Sequence, residues 1–413
     1  VLALLSARRF GPMFATQFLG AFNDNLFKTA FIFAVAFRWR ADDPVAAATM
    51  ATVATGVFIL PYFFLSGVAG GLADARDKGA IARGVKLAEI LFMALGAVAL
   101  WRGSEGLALG VIGLMGVHST IFGPVKYAIL PQHLAARELL LGTGLVEGAT
   151  FVAILLGQIA GGLLPLGVVG PVAVGVAVLG WGASRLIPAA PPLEAGRPLR
   201  WNLWTTSRAA LAGAFSTRAL ATATLAISWF WALGAIYTSQ FVPLARNNLG
   251  GDEGLATLFL AVFSIGVAAG SAGVSRLLKG RITARLAAPA GLVMALAGVD
   301  LYLAEAAFAA EPAVDVMGFL ARPQGWRVMA DLLALAAAGG VFSVPLYGIL
   351  QTGAPAGSTA RMIAANNIVN SAFQVAGVLA IGLVLGAGVA VPVVLAGAGL
   401  TILLLLPFLR RLD

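Results

Sequence analysis

The sequence contains no cysteine and only two histidines, His118 and His133. Without cysteine there is no disulfide framework and no thiolate metal site. Two histidines are too few for a histidine-rich metal centre. No Walker sequence, no HExxH and no GxSxG occurs, so nothing points to nucleotide hydrolysis, zinc proteolysis or a serine nucleophile. No catalytic residue, metal or cofactor is expected. Charge is scarce too: 11% of the 413 residues are charged, against about 25% in a soluble domain. So little polar surface cannot cover a soluble particle of this length, and lipid must be part of the solvent.

What is present agrees. Sixty per cent of the residues are hydrophobic, and a bilayer core needs roughly 20 apolar residues per helical span. Apolar runs separated by charged or Pro/Gly-rich breaks predict twelve transmembrane helices, at 13–37, 47–71, 80–101, 106–131, 139–166, 168–188, 214–243, 254–278, 283–305, 328–351, 362–387 and 389–409. The first apolar stretch runs straight into a full-length span, so no cleavable signal peptide is expected. Residues 189–213, with Pro191, Pro192, Pro198, Arg197, Arg200 and Arg208, form the longest polar break. They read as a linker between two six-helix halves, 1–188 and 214–413. The expected class is an all-α membrane protein of two pseudo-repeat halves.

Two internal matches support the repeat. IFGPVKYAIL at 121–130 aligns with VFSVPLYGIL at 341–350, and GLVEG at 144–148 with NIVNS at 367–371. They fall at the ends of helices four and ten and inside helices five and eleven, which parallel halves of a major facilitator fold require.

The net charge of +9 is explained by the positive-inside rule rather than by nucleic acid. With both termini inside, the inner segments hold Arg8, Arg9, Arg76, Lys78, Arg83, Lys86, Arg137, Arg185, Arg197, Arg200, Arg208, Arg218, Arg276, Lys279, Arg281, Arg285, Arg361, Arg410 and Arg411. The outer segments hold Arg38, Arg40, Arg102, Arg246, Arg322 and Arg327.

Several polar groups sit where they are costly. Asn23, Asp24, Asn25 and Lys28 lie near the middle of the first span, where a charge must face a cavity or a partner. Asp24 and Lys28 are i, i+4 neighbours: either a substrate or ion site, or a self-neutralising pair. Lys126 follows Gly123-Pro124, which is expected to break helix four. It either snorkels to the interface or holds an anionic group such as phosphate. Glu147, flanked by Gly144 and Gly148, lies near mid-membrane; Asn366, Asn367 and Asn370 form a polar stripe at the corresponding depth of helix eleven. Glu89 and His118 read as paired structural groups. The pairs Gly67/Gly71, Gly157/Gly161, Gly266/Gly270 and Gly382/Gly386 read as packing seams.

The loop GGLADARDKG at 70–79 resembles the signature between helices two and three of the major facilitator superfamily. Gly71 would allow close helix approach. Asp74 would cap a helix end and form an ion pair, and with Arg76 the three would make a conformational switch. A solvated turn of mixed charge is the alternative.

QFLGAFNDNLFK at 17–28, FGPVKYAILP at 122–131 and GLVEGATFVAILLGQIAGG at 144–162 together resemble the bacterial lysophospholipid transporter family, most of all the membrane domain that some bacteria fuse to an acyltransferase and an acyl-carrier-protein synthetase. The resemblance is detailed in the amino-terminal half. In the other half it covers hydropathy and the region of helices ten and eleven. It implies a multi-pass protein of the bacterial cytoplasmic membrane, with both termini cytoplasmic. Such a protein moves lysophosphatidylethanolamine and lysophosphatidylglycerol from the outer to the inner leaflet for reacylation. Asp24, Lys28, Lys126 and Glu147 fall on the family's polar motif positions. The implied partners are lysophospholipid, membrane lipid and a cytoplasmic acyltransferase/acyl-carrier-protein synthetase, either separate or part of a longer chain. No nucleic acid is implied, and a monomer is the default. A proton-coupled exporter of amphipathic small molecules, using Asp24 or Glu147 as proton carrier, is the competing reading.

Overall fold

The computed structural model describes residues 1–413 apart from 195, 197, 307, 309–314 and 413, and apart from the side chains of 44, 45, 48, 247, 253 and 306. Arg197, counted above among the linker's basic residues, lies outside the described residues. Every regular element among them is a helix. The longer ones are α1 (Gly11–Ala34), α2 (Pro44–Ala75), α3 (Lys78–Arg102), α4 (Glu105–Ala128), α5 (Ala136–Leu163), α6 (Leu166–Arg185), α7 (Leu203–Ala214), α8 (Arg218–Pro243), α9 (Glu253–Leu277), α10 (Ala287–Ala306), α11 (Pro323–Gly353), α12 (Thr359–Gly386) and α13 (Val391–Leu400).

Eleven helices among the described residues are long and apolar enough to cross a membrane. α1 is missing from them although it has 24 residues. Asn23, Asp24, Asn25 and Lys28 dilute its hydropathy, so the feature that spoils it as a generic span is what makes it chemically interesting. Helix starts are set by side-chain caps. Asp43, Asp77, Ser104, Asn202, Thr217 and Asp252 each accept a hydrogen bond from the backbone N–H three residues on, satisfying one of the orphan donors of a helix N-terminus.

One expectation is corrected. Pro124 does not break helix four: α4 runs through it to Ala128, because neighbouring groups in a bundle tolerate the lost bond. Between the spans, Asn202 caps a 12-residue helix, α7.

The chain forms two compact units. The first comprises Val1–Gly142, Val152–Ser216 and Leu350–Ser371. Its core brings together Phe27, Phe31, Met93, Ile112, Met115 and Val169 from α1, α3, α4 and α6. Gly157 and Gly161 of α5 lie against the backbone of Phe22–Ala30 in α1, and Gly67 of α2 against Ser207 of α7, close approaches that only a missing side chain permits.

The second unit comprises Thr143–Phe151, Thr217–Ile349 and Ala372–Asp413. Its centre is an aromatic chain: Phe151 stacks on Trp231 at 5.5 Å between centroids and meets Phe263 edge-on, which in turn meets Phe241. Edge-to-face and offset pairs suit the ring quadrupoles. Two of its indoles donate to hydroxyls, Trp231 to Tyr347 at 2.8 Å and Trp229 to Thr401 at 2.7 Å. Gly266 and Gly270 pack on Leu333–Ala337 of α11, whereas Gly382 and Gly386 have no neighbour within 4 Å at the Cβ position among the described residues; the last pair is no seam among them.

Candidate functional site: a buried polar cluster and a helix-capping carboxylate

In the first unit, the polar run of α1 meets α3, α4 and α6. Asn23 is fully buried and donates through Nδ2 to Glu89 Oε1 of α3 at 2.9 Å and to the carbonyl of Ala173 in α6 at 3.1 Å. Glu89 also pairs with Lys86, one turn earlier on the same helix. Its Oε2 lies 3.1 Å from His118 Nε2 of α4, close enough for an ion pair but not aligned for a hydrogen bond. Glu89 and His118 are thus paired, with each other and with a lysine.

Lys86 corrects the charge assignment above. Eight residues into α3, it is not an inner-loop cation but fully buried. Room for its ammonium comes from glycines: a Cβ on Gly20 would lie 2.6 Å from Nζ, and one on Gly180 3.5 Å. The ammonium faces the Phe122 ring at 5.8 Å. A buried charge survives only when paired in this way.

Asp24, one residue on from Asn23, is nearly buried and accepts a 2.5 Å hydrogen bond at Oδ2 from Ser119 of α4. The same hydroxyl lies 3.4 Å from His118 Nδ1. Oδ1 of Asp24 has no hydrogen-bond partner among the described residues. Lys28 is half-buried and sits over the Phe58 ring at 5.0 Å. Asp24 and Lys28 form no direct ion pair among the described residues. Asn25 turns back to the carbonyl of Ala21 at 2.8 Å. The cluster thus holds one buried carboxylate oxygen without a hydrogen bond among the described residues, with the Lys28 ammonium one turn along the helix.

Lys126, half-buried on α4, lies over the ring of Tyr127 at 4.9 Å. One turn back, a Cβ on Gly123 would lie 3.0 Å from Asn367 Nδ2 of α12, so α4 and α12 touch there. Asn366 is fully buried, and neither its Oδ1 nor its Nδ2 has a hydrogen-bond partner among the described residues. A buried amide so placed costs free energy in this state and is a candidate to gain a partner in another. Asn370 is buried on the same face of α12. Glu147 belongs to the second unit. It is fully buried, and Gly144 and Gly148 let α9 approach through Ser271 and Ala268.

The loop signature forms a helix cap and an ion pair. Asp74 Oδ1 accepts from the backbone N–H of Ala360 at 3.0 Å. Its Oδ2 accepts from Arg361 N at 3.2 Å and from Arg361 Nε at 3.1 Å. One buried carboxylate thereby caps the N-terminus of α12 and pairs with its first arginine, favourable both as hydrogen bonds and with the helix dipole. Nearby, Gln351 donates to the carbonyl of Tyr127 at 2.9 Å. Two members of the expected switch act differently. A Cβ on Gly71 meets open space; the close approach is made by Gly70, where a Cβ would lie 2.8 Å from Arg361 Cα and 2.6 Å from Ala364 Cβ. Arg76 is exposed and has no ion pair among the described residues; the arginine that pairs is Arg361.

Sequence reading missed Ser119, Lys86 and Arg361 as parts of these arrangements. Lys86 and Glu89, three apart on one helix, carried a signal, since such pairs meet on one face. Ser119 and Arg361 carried none, being distant in sequence from the aspartates they bind.

No family model matches the chain. Among solved structures, the human organic anion transporter MFSD10 matches at a TM-score of 0.75 and 15% identity, over 97% of this chain and 99% of that one. FucP, a major facilitator superfamily transporter in the outward conformation, matches at 0.72 and 14%, over 98% of each chain. These likenesses concern the fold alone, and it is the major facilitator fold. Among sequences, the lysophospholipid transporter LplT of Cronobacter sakazakii is 30% identical over 366 residues, 84% of this chain and 81% of that protein. LplT of Escherichia coli K12 is 30% identical over 404 residues, 93% and 90% of the two. At that identity over nearly the whole of both proteins, this chain belongs to the family of the lysophospholipid transporter LplT.

Proposed function

We propose that the protein transports lysophospholipids, lysophosphatidylethanolamine and lysophosphatidylglycerol among them, from the outer to the inner leaflet of a bacterial cytoplasmic membrane, by alternating access of its two six-helix halves (1–188 and 214–413). The observation that carries the reading is the 30% identity to LplT over 93% of the chain. The chemistry supports it. A lysophospholipid brings an anionic phosphate, sometimes an ammonium, and one acyl chain. Asp24 has an oxygen to offer to ammonium, and Lys126 is a point charge suited to phosphate. Asn23, Asn25, Lys28, Asn366, Asn367 and Asn370 in the first unit, and Glu147 in the second, are the further candidate contacts of the substrate, and apolar helix faces take the acyl chain. Both termini are cytoplasmic on the basic-residue bias. The product is then delivered where a cytoplasmic acyltransferase/acyl-carrier-protein synthetase can reacylate it, and the transporter works as a monomer.

In this reading the Asp74 lock belongs to one of two alternating states, and breaking it frees the ends of α11 and α12 to move. Lysolipid binds the two states differently, which is the condition for it to drive the change.

Binding should be visible as stabilisation. Saturating lysophosphatidylethanolamine, about a hundredfold above Kd, should contribute about 2.7 kcal/mol to the folded protein. The melting temperature in detergent should rise, while two-chain phosphatidylethanolamine should not move it. The rise should shrink in Asp24→Ala and Lys126→Ala. Equal responses to both lipids, or an unaltered rise in both variants, would contradict the placement of the headgroup.

A further inference from the structure

The linker holds a feature that the transport reading does not use. We infer that α7, with the residues flanking it, is an interfacial anchor that recognises acidic phospholipid headgroups at the cytoplasmic surface. The inference rests on the cytoplasmic placement of the linker in the transport reading.

The geometry begins with α7's buried side. Ala210 and Ala214 are buried, Ser207 and Leu211 partly so, and the Ser207 backbone lies against Gly67 of α2. Positions 207, 210, 211 and 214 repeat at helical spacing and make one face. A second stripe runs beside it. Trp204 and Arg208 are one turn apart on α7, Trp201 and Phe215 flank its two ends, and all four are exposed, Trp201 at 69% and Trp204 at 77%. Away from both lie Thr205 and Ala209.

α7 is also held at a definite depth. The linker's first residues are fixed to the turn between α2 and α3: Ala190 N donates to Asp77 Oδ2 at 2.6 Å, and Lys78 N donates to the Ala190 carbonyl at 3.0 Å. The ring of His133 meets the Ala189 carbonyl at 3.2 Å. With Ser207 against Gly67, eight residues before α2 ends at Ala75, α7 lies along the last turns of a spanning helix. A 12-residue helix is too short to cross.

Two exposed indoles at that depth, beside arginines at 200 and 208, match the chemistry of the headgroup layer. Indole is favoured there because it is amphipathic, and arginine pairs with lipid phosphate. The charge complementarity selects acidic lipid over a second copy of this chain or a soluble protein. A juxtamembrane basic residue gains about fivefold in preference for an acidic surface.

The test uses the full-length protein in vesicles of phosphatidylcholine, alone or mixed with phosphatidylglycerol. Bromine is placed on the lipid near the headgroup or at the chain end. The signal of the two linker indoles is the fluorescence of wild type minus that of W201F/W204F. Shallow bromines should quench this signal and deep ones should not, with brominated phosphatidylglycerol about fivefold or more effective than its equivalent phosphatidylcholine. R200Q/R208Q should abolish the preference for phosphatidylglycerol yet keep the shallow quenching, which separates lost recognition from lost folding. Quenching by aqueous iodide and not by brominated lipid would overturn the inference. So would protection that appears only as protein density rises, which would mean a second copy covers the stripe. These outcomes are independent of lysolipid transport, so failure of one reading does not mimic failure of the other.

Discussion

Asp74→Ala should slow leaflet exchange of lysophospholipid by about a hundredfold. The carboxylate accepts three hydrogen bonds, one from a guanidinium. Removing one partner of such a buried pair costs about 3–5 kcal/mol, and each 1.4 kcal/mol is about tenfold in a conformational equilibrium. The state that contains the lock would become rare, and a cycle that must pass through it would stall. Arg361→Gln should act in the same direction but less, about tenfold, because the two backbone N–H groups still find Asp74. The flanking glycines sharpen the test. Gly70→Ala should behave like a weakened lock, since its methyl would strike Arg361 and Ala364, while Gly71→Ala meets open space and should leave exchange unchanged. Exchange assays on the four variants check the order. Wild-type rates in both Asp74→Ala and Arg361→Gln would remove the lock from the mechanism.

Lys86→Met should lower stability by about 3–5 kcal/mol, because it leaves Glu89 ionised and buried with only His118 and Asn23 for company. Glu89→Met should do the same to Lys86. The double variant should lose much less than the sum of the two, since an apolar pair of similar volume replaces a pair that was costly to desolvate. Thermal or denaturant unfolding of the four proteins gives the coupling directly. Additive losses would mean that the two side chains do not depend on each other. Because Asn23 hangs from Glu89 and precedes Asp24, single variants should also disturb lysolipid binding, and the double variant should recover stability without recovering binding.

The helices were legible because a bilayer imposes length and hydropathy together. α1 was legible for the opposite reason, its polar run being too costly to be accidental. Local chemistry was also readable: Glu89 and His118 were expected to be paired, and they are. Contacts between distant segments were not. Asp74 and Arg361 are 287 residues apart, and hydropathy contains nothing that joins them. Lys86 read as a boundary charge because it lies near the start of its span; only the fold shows the space that Gly20 and Gly180 leave for its ammonium. Gly70 and Gly71 cannot be told apart by type, since which one faces α12 depends on the rotation of α2. The linker helix was hidden by its prolines and polar residues. Asn202 before it is a cap residue, and that signal was available.

The most direct measurement is leaflet exchange itself. Labelled lysophosphatidylethanolamine is introduced into the outer leaflet of proteoliposomes holding the purified protein, and its arrival in the inner leaflet is followed. Protein-dependent exchange that spares two-chain phosphatidylethanolamine, and that collapses in both Asp24→Ala and Lys126→Ala, is the predicted result. A folded protein that gives no exchange above empty vesicles would contradict the account.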